Sequence, residues 1–435
     1  MKHYLESIVN YLKNNKFFKN LILIFSGEGL SSVFGFLATI FIVNAIGSYE
    51  HGVLVAVQTY TNLFYGLFSF KTFQSLIKYL ARSDKEGDYQ QSKLYIKWSV
   101  LLDVICLCAT MFCGVVFKDF VIGLMDWNTE ISKYCIFYLL VYMFYFQGTT
   151  IGVLRYFEKY QYVVISNVIC SIIRCLGFFF SLILNLGFIT FFFIDCIGNL
   201  TKFVMMDLYT IKTLKEHHLL DFYRVKLTFC SDFLKFSFYS NITSTIDLPV
   251  NQITSLIVNK YLGFEATSVY SVFGNIGSVI YRLGDPISQV IYPEMNKLIS
   301  QNKIKKAKKL SIRLKISMFF LFILCSIFVV FTHGIWLKLL ISNPSPYVVP
   351  LILYIGFCCY VNSAMGTHNL FMALGYVKFN IPILLIVNSL YLILLTFSVR
   401  YYGLTGVILV YLIQAFAVVV VKEVIMYKKR YEEIL

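Results

Sequence analysis

The chain has 435 residues, 58% hydrophobic and 14% charged, with a net charge of +15 and a mean hydropathy of +0.72. Soluble domains run at roughly 45–50% apolar and about 25% charged, so this chain lacks the polar surface to cover a soluble core of its size. An ordinary cytosolic enzyme and a disordered chain are both excluded; a polytopic membrane protein fits.

Twelve apolar stretches follow one another, at 21–46, 53–77, 98–117, 134–154, 163–184 and 188–209, then 236–258, 269–291, 316–331, 347–372, 381–399 and 405–421. Lipid offers no water to open backbone groups, so continuous apolar runs predict helices; strands of a barrel would alternate. Lysine and arginine gather in the N-terminal segment, the even-numbered loops (Lys78, Arg82, Lys93, Lys212, Lys305, Lys378) and the C-terminal tail from Lys422. The opposite loops carry only Lys118, Lys133, Lys260, Lys338 and Arg400. That bias predicts both termini in the cytoplasm. With attraction to anionic lipid it accounts for the net charge and leaves no call for nucleic acid. Residues 1–20 lack a small-residue cleavage site, and Leu5, Ile8, Val9 and Leu12 share one face, predicting a segment lying along the membrane. The cysteines form no CxxC pair, so they read as small buried hydrophobes rather than zinc or redox sites.

The charged link after Tyr209 divides the chain. A shift of 216 residues lays 19–97 over 235–313 without a gap, placing Gly47 on Gly263, Val53 on Val269, Tyr65 on Tyr281 and Lys93-Leu94 on Lys309-Leu310. Farther on, Gly148-Thr149 resembles Gly366-Thr367. Six spans per half is an even number, so the repeats are parallel, and lobes of this kind rock around a central cavity. The expected layout is an all-α membrane protein: a six-helix lobe over 1–215, a linker over 216–235 and a second six-helix lobe over 236–435.

Ionisable residues inside spans are costly and default to functional candidates. Here they are Glu28, Lys71, Arg174, Asp195, Lys202, Asp247, Arg282 and Asp285. Counting from span ends puts Arg174, Asp247 and Arg282 near the midplane, Lys202 slightly cytoplasmic of it, and Glu28 and Lys71 on the cytoplasmic side, where Lys71 can snorkel. Asp103 and Asp207 read as interfacial. Arg282 and Asp285 share a helix face; they either neutralise each other or form a site in which Arg282 binds an anionic head group, since a guanidinium matches phosphate bidentately. Arg174 and Lys202 can make the same contact from the first lobe, with Lys71 near the cytoplasmic mouth of the cavity, or Arg174 or Lys202 can pair with Asp195. Gly27, Gly29 and Pro249 stand among polar residues of the first and seventh spans and predict bends there, a proline removing a backbone hydrogen bond; all three are gating candidates. No GxxxxGK[ST] stretch is present, which argues against ATP hydrolysis. His51, His333 and His368 are isolated, with no metal-ligand spacing. The pattern is that of a transporter, not an enzyme.

The stretch Gly47-Ser-Tyr-Glu-His-Gly52, then Gln58 and the basic loop at Arg82, resembles the start of Wzx-type O-antigen and capsule flippases of the multidrug/oligosaccharidyl-lipid/polysaccharide exporter superfamily. Leu154-Arg155-Tyr-Phe-Glu-Lys159 and Tyr292-Pro293-Glu294-Met295 look like that family's short cytoplasmic signatures. The resemblance implies a MATE-like fold in the bacterial inner membrane, acting as a monomer without a resident cofactor. Its cargo would be an oligosaccharide on polyprenyl pyrophosphate, carried from the cytoplasmic to the outer leaflet. A polysaccharide polymerase and chain-length proteins would be its partners. A proton or sodium gradient could couple through Asp247 or Glu28. Related lipid II flippases carry clustered arginines in the first span, where this chain has Glu28; that departure argues against a peptidoglycan precursor. Drug-exporting relatives place carboxylates in the first or seventh span, so a cation-coupled multidrug exporter is the alternative.

Overall fold

The computed structural model describes residues 16–281, 291, 294–295, 297–299, 301, 303–341 and 343–432, with side chains at all of these except 16–25, 243, 244, 249, 251, 377 and 429–432. Every element among the described residues is helical. Eight helical stretches are long and apolar enough to cross a membrane, and the chain is a multi-pass membrane protein. Two of the stretches, Ser26–Phe68 and Asn380–Lys428, have 43 and 49 residues. At about 1.5 Å per residue each is twice as long as a hydrocarbon core of about 30 Å. Each is also broken at a glycine with non-helical dihedrals, Gly47 and Gly403, so each supplies two of the expected crossings.

The chain divides into two compact units. The first runs to Ile46 and resumes over Val57–Thr245; the second takes Gly47–Ala56 and continues from Ile246. Helix α1 (Lys16–Phe68) contributes to both. The first unit adds α2 (Thr72–Glu86), α3 (Tyr89–Val116), short α4 (Lys118–Met125), α5 (Thr129–Tyr142), α6 (Gln147–Tyr156), α7 (Tyr160–Ile183), α8 (Phe188–Glu216) and α9 (Ser231–Ile246). The start of α9 belongs here because Phe233 is fully buried, stacked on Tyr95 of α3 at 5.5 Å in a core with Leu76, Leu80 and Val153. The second unit has a π-helical turn at Pro249–Ile253, then α10 (Thr254–Tyr281), α11 (Ile304–Trp336), α12 (Val348–Ala373) and α13 (Asn380–Glu432). Phe371, Ile383 and Met426 pack in its core.

The internal repeat is written in the backbone. Gly47 has φ 81° and ψ 169°; Gly263 has φ 81° and ψ −176°. That region is open in practice to glycine alone, and the two residues coincide under the 216-residue shift. Within the second unit the residues after Gly47 pack on those after Gly263. Gly52 lies flat against the Phe264 backbone, the Tyr49 ring meets Phe264 edge-on at 5.2 Å, and His51 Nδ1 lies 2.7 Å from Ser268 Oγ.

Two spans are interrupted. The second expected span, 53–77, breaks over residues 69–71, where Lys71 is left-handed (φ 49°, ψ 39°). Asn241 of α9 donates to the freed carbonyls of Leu67 and Ser69 at 3.2 and 2.8 Å. In the seventh, α9 ends at Ile246 and the chain resumes in the π turn from Pro249. Asn388 Nδ2 donates to the Ile246 carbonyl at 2.7 Å, and the Tyr411 hydroxyl donates to that of Val250. The bend expected at Gly27–Gly29 is not found: in α1 only Gly47 leaves helical dihedrals. Gly27 instead admits Val164 of α7, which a Cβ would strike.

Asp103, read from sequence as interfacial, is buried in the protein. It accepts from the Thr149 N–H at 2.7 Å and from Thr72 Oγ1 at 3.2 Å, so a carboxylate caps the open N–H groups that begin α6. Gly148 makes the approach possible, since a Cβ there would meet Thr72 and Asp103. Its counterpart Gly366 lies against Ser311 in the second unit.

Candidate functional site

Helices α7 and α8 of the first unit bring intramembrane charges of opposite sign together. Arg174 Nε lies 2.7 Å from Asp195 Oδ1, at an angle outside hydrogen-bond geometry, so the attraction there is Coulombic. Asp195 Oδ2 accepts from Gln58 Nε2 at 2.9 Å, from the Tyr138 hydroxyl at 2.6 Å and from Asn199 Nδ2 at 3.3 Å. Local sequence explains the cluster. Asp195 and Asn199 are one helical turn apart and share a face, and Gly198 between them leaves room for the Arg174 stem. With three hydrogen bonds and one ion pair the carboxylate is saturated. Removing one partner of a buried pair costs about 3–5 kcal/mol, because the other charge is stranded.

Of the partners the sequence allowed, Arg174 therefore takes Asp195. Its side chain is nevertheless 28% exposed against 3% for Asp195, and among the described residues no hydrogen bond engages Nη1 or Nη2. The carboxylate holds the guanidinium by its Nε edge. Lys202 lies two turns along α8 from Asp195, within Coulombic reach of Arg174 and of Glu28. Glu28, Arg174, Asp195 and Lys202 thus share one neighbourhood. Lys71 does not join it; it sits at the helix break beside Cys106 of α3.

The second unit has a polar network of its own. Asp247 stands beside Asn388, whose Oδ1 accepts from Gln414 Nε2 at 2.8 Å. Lys422 was assigned by sequence to the C-terminal basic tail, but only 5% of it is exposed. Its Nζ donates to His368 Nδ1 at 3.0 Å, stands 5.8 Å from the Phe371 ring centre, and is within Coulombic reach of Asp247. His368 looked isolated because its partner is 54 residues away; the clue to Lys422 was the apolar periodicity that carries α13 on to Glu432. At offsets of 216 to 218 residues Arg174 falls between Leu390 and Leu392 and Asp195 between Tyr411 and Ile413, where no residue is charged, so neither member of the ion pair recurs there. Arg282, Asp285 and the Tyr292-Pro293 pair lie outside the described residues. Among the described residues no three His, Cys, Asp or Glu side chains converge on a metal position.

A sequence profile described as polysaccharide biosynthesis protein matches residues 17–299. Inner membrane protein YghQ of Escherichia coli (strain K12) is 19% identical over 277 residues, covering 63% of this chain and 78% of that protein. Among solved structures, an inward-facing multidrug resistance MATE family transporter of the MOP superfamily superposes with a TM-score of 0.69 at 12% identity, covering 90% of this chain and 92% of that one. The lipid II flippase MurJ in an inward closed conformation superposes with a TM-score of 0.65 at 16% identity, covering 92% of this chain and 86% of that one. At these identities the likeness is one of fold: an all-α, MATE-like membrane fold.

Proposed function

Because the chain belongs to the polysaccharide biosynthesis protein family, whose profile covers 17–299, we propose that it is a flippase that moves oligosaccharide repeat units linked to polyprenyl pyrophosphate from the cytoplasmic to the outer leaflet of the bacterial inner membrane. A sugar-phosphate head cannot cross hydrocarbon unaided, while its lipid tail can stay in the bilayer. Two lobes of parallel topology that exchange between states open to either side supply the path. A polymerase and chain-length proteins then take up the exported unit.

The observation that carries this reading is Arg174, a guanidinium within a membrane span whose Nε is fixed by Asp195 and whose outer nitrogens are left to an anion. Pyrophosphate suits that fork, and Lys202 adds a second positive charge. A cation-coupled drug exporter would draw on carboxylates of the first or seventh span, Glu28 and Asp247, rather than on Asp195, which is already saturated. Coupling to H+ or Na+ falls to Glu28 or Asp247.

The test uses Arg174→Gln combined with Asp195→Asn, which removes both charges together and keeps amide groups for Gln58 and Tyr138. In cells lacking the native gene, this variant should reach the membrane at normal levels. Surface glycan should fall by about tenfold or more, the consequence of losing one charge-assisted contact, and lipid-linked oligosaccharide should accumulate on the inner leaflet. Wild-type export by the double variant would sink the assignment.

A further inference from the structure

We propose that a groove in the first unit holds the polyisoprenoid chain of the anionic lipid cargo, with Lys235 meeting its phosphate; this rests on the flippase reading and deepens it. The groove has a volume of about 620 Å³ and is walled by Phe70 at the helix break, Leu102 of α3, and Leu234, Lys235, Phe238, Tyr239 and Ile242 of α9. Ligand-holding clefts run at about 300–1,000 Å³. Residues 234/235, 238/239 and 242 recur at helical spacing and form one face of α9. Lys235 carries the single charge among the walls.

The groove has a polar mouth and an apolar floor. From Lys235 to Ile242 is seven residues, about 10 Å along a helix, or about a third of the hydrocarbon thickness. Near the mouth, Trp98 Nε1 donates to the Thr228 carbonyl at 2.8 Å, and Lys97 Nζ donates to the Tyr223 and Val225 carbonyls at 2.9 and 2.7 Å. Tryptophan and lysine together mark the level of lipid head groups. Leu102, one turn beyond Trp98, is already in the apolar wall. The wall at Phe70 is fixed, because Asn241 clamps the backbone at Leu67 and Ser69. Phe238 and Tyr239 are 55% and 63% exposed, so a chain can enter sideways from the bilayer without leaving hydrocarbon. An ammonium at the mouth selects a head group of net negative charge, and the three rings along the wall suit a chain bearing methyl branches and double bonds.

The experiment places the purified full-length chain in nanodiscs with a photoreactive polyprenyl phosphate and maps labelled residues by mass spectrometry. Labelling is expected at Phe238, Tyr239 and Ile242, displaced by unlabelled polyprenyl phosphate but not by equal phosphatidylglycerol. Lys235→Glu should weaken it about tenfold, the loss of one charge-assisted contact, and Ile242→Trp should fill the groove and abolish it. Circular dichroism and thermal unfolding confirm that both variants remain folded. Equal displacement by phosphatidylglycerol, or labelling indifferent to both substitutions, overturns the proposal. The export assay separates the two readings. Export by a wild-type chain whose groove is not labelled removes the groove alone. Labelling without any glycan export supports the groove and removes the flippase assignment.

Discussion

A buried charge in a membrane span is tolerated only where its partners are supplied, and Asp195 shows how many that takes: Arg174, Gln58, Tyr138 and Asn199. Outside the spans the same accounting applies to His217, which follows α8. Its ring stacks on Phe157 at 3.8 Å, and the partial desolvation of this otherwise exposed side chain, together with the positive charge of Lys159, pulls its pKa below the ordinary 6.5. The fold therefore favours the neutral ring. Stability from this source is complete above pH 6.5 and declines as pH falls toward the lower folded value, because the unfolded segment takes up the proton first. Amide exchange over residues 217–225, corrected for intrinsic rates, should show opening that increases from pH 7.5 to about 5.5. His217→Phe keeps the stack and should flatten that dependence; identical slopes would remove the histidine from the explanation.

At the scale of elements, the interruptions matter more than the helices. The break before Pro249 was legible because proline cannot continue the ladder. The one at Ser69-Phe70-Lys71 was not, since it contains neither proline nor glycine and depends on Asn241, more than 170 residues later. Gly27 misled for the opposite reason: a helical glycine can serve close packing as well as bending, and the sequence does not display Val164. The partners of Asp103 were not legible, because counting along a span does not show the helix end that α6 turns toward it. The apolar helices among the described residues, by contrast, needed only composition and period. Asn241→Leu should leave the Leu67 and Ser69 carbonyls without their donor, at a cost of about 0.5–1.5 kcal/mol for each hydrogen bond lost, the larger share at the part-buried bond to Ser69. Thermal unfolding in detergent measures this. Asn241→Asp, which keeps the shape and loses the donor, should be at least as damaging; a neutral outcome for both would mean that water or another group satisfies the break.

Across the whole molecule, two halves share a backbone plan but divide the charges unequally. Gly47 and Gly263 adopt the same glycine-only conformation, whereas at the same 216-residue offset Arg174 and Asp195 give way to Leu390 and Tyr411. Tyr411 is one of a set of buried tyrosines, 5.5 Å from the Tyr391 ring, and its hydroxyl serves the carbonyl opened by the π turn. The first half anchors a guanidinium beside Asp195, while in the second Tyr411 serves a bent span. The equivalence can be tested by transplanting the pair. Tyr411→Asp alone should be destabilising by several kcal/mol, because it buries a carboxylate without a cation and removes the donor to Val250. Leu390→Arg alone should cost little, since Leu390 is 55% exposed and a long basic side chain can seek a polar surface. If residues 390 and 411 stand to each other as 174 and 195 do, the double variant should recover part of the loss, with a coupling of about 0.5–3 kcal/mol in a double-mutant cycle read from thermal unfolding. Strict additivity of the two substitutions would show that the repeat preserves the course of the helices but not the side-chain neighbours at this site.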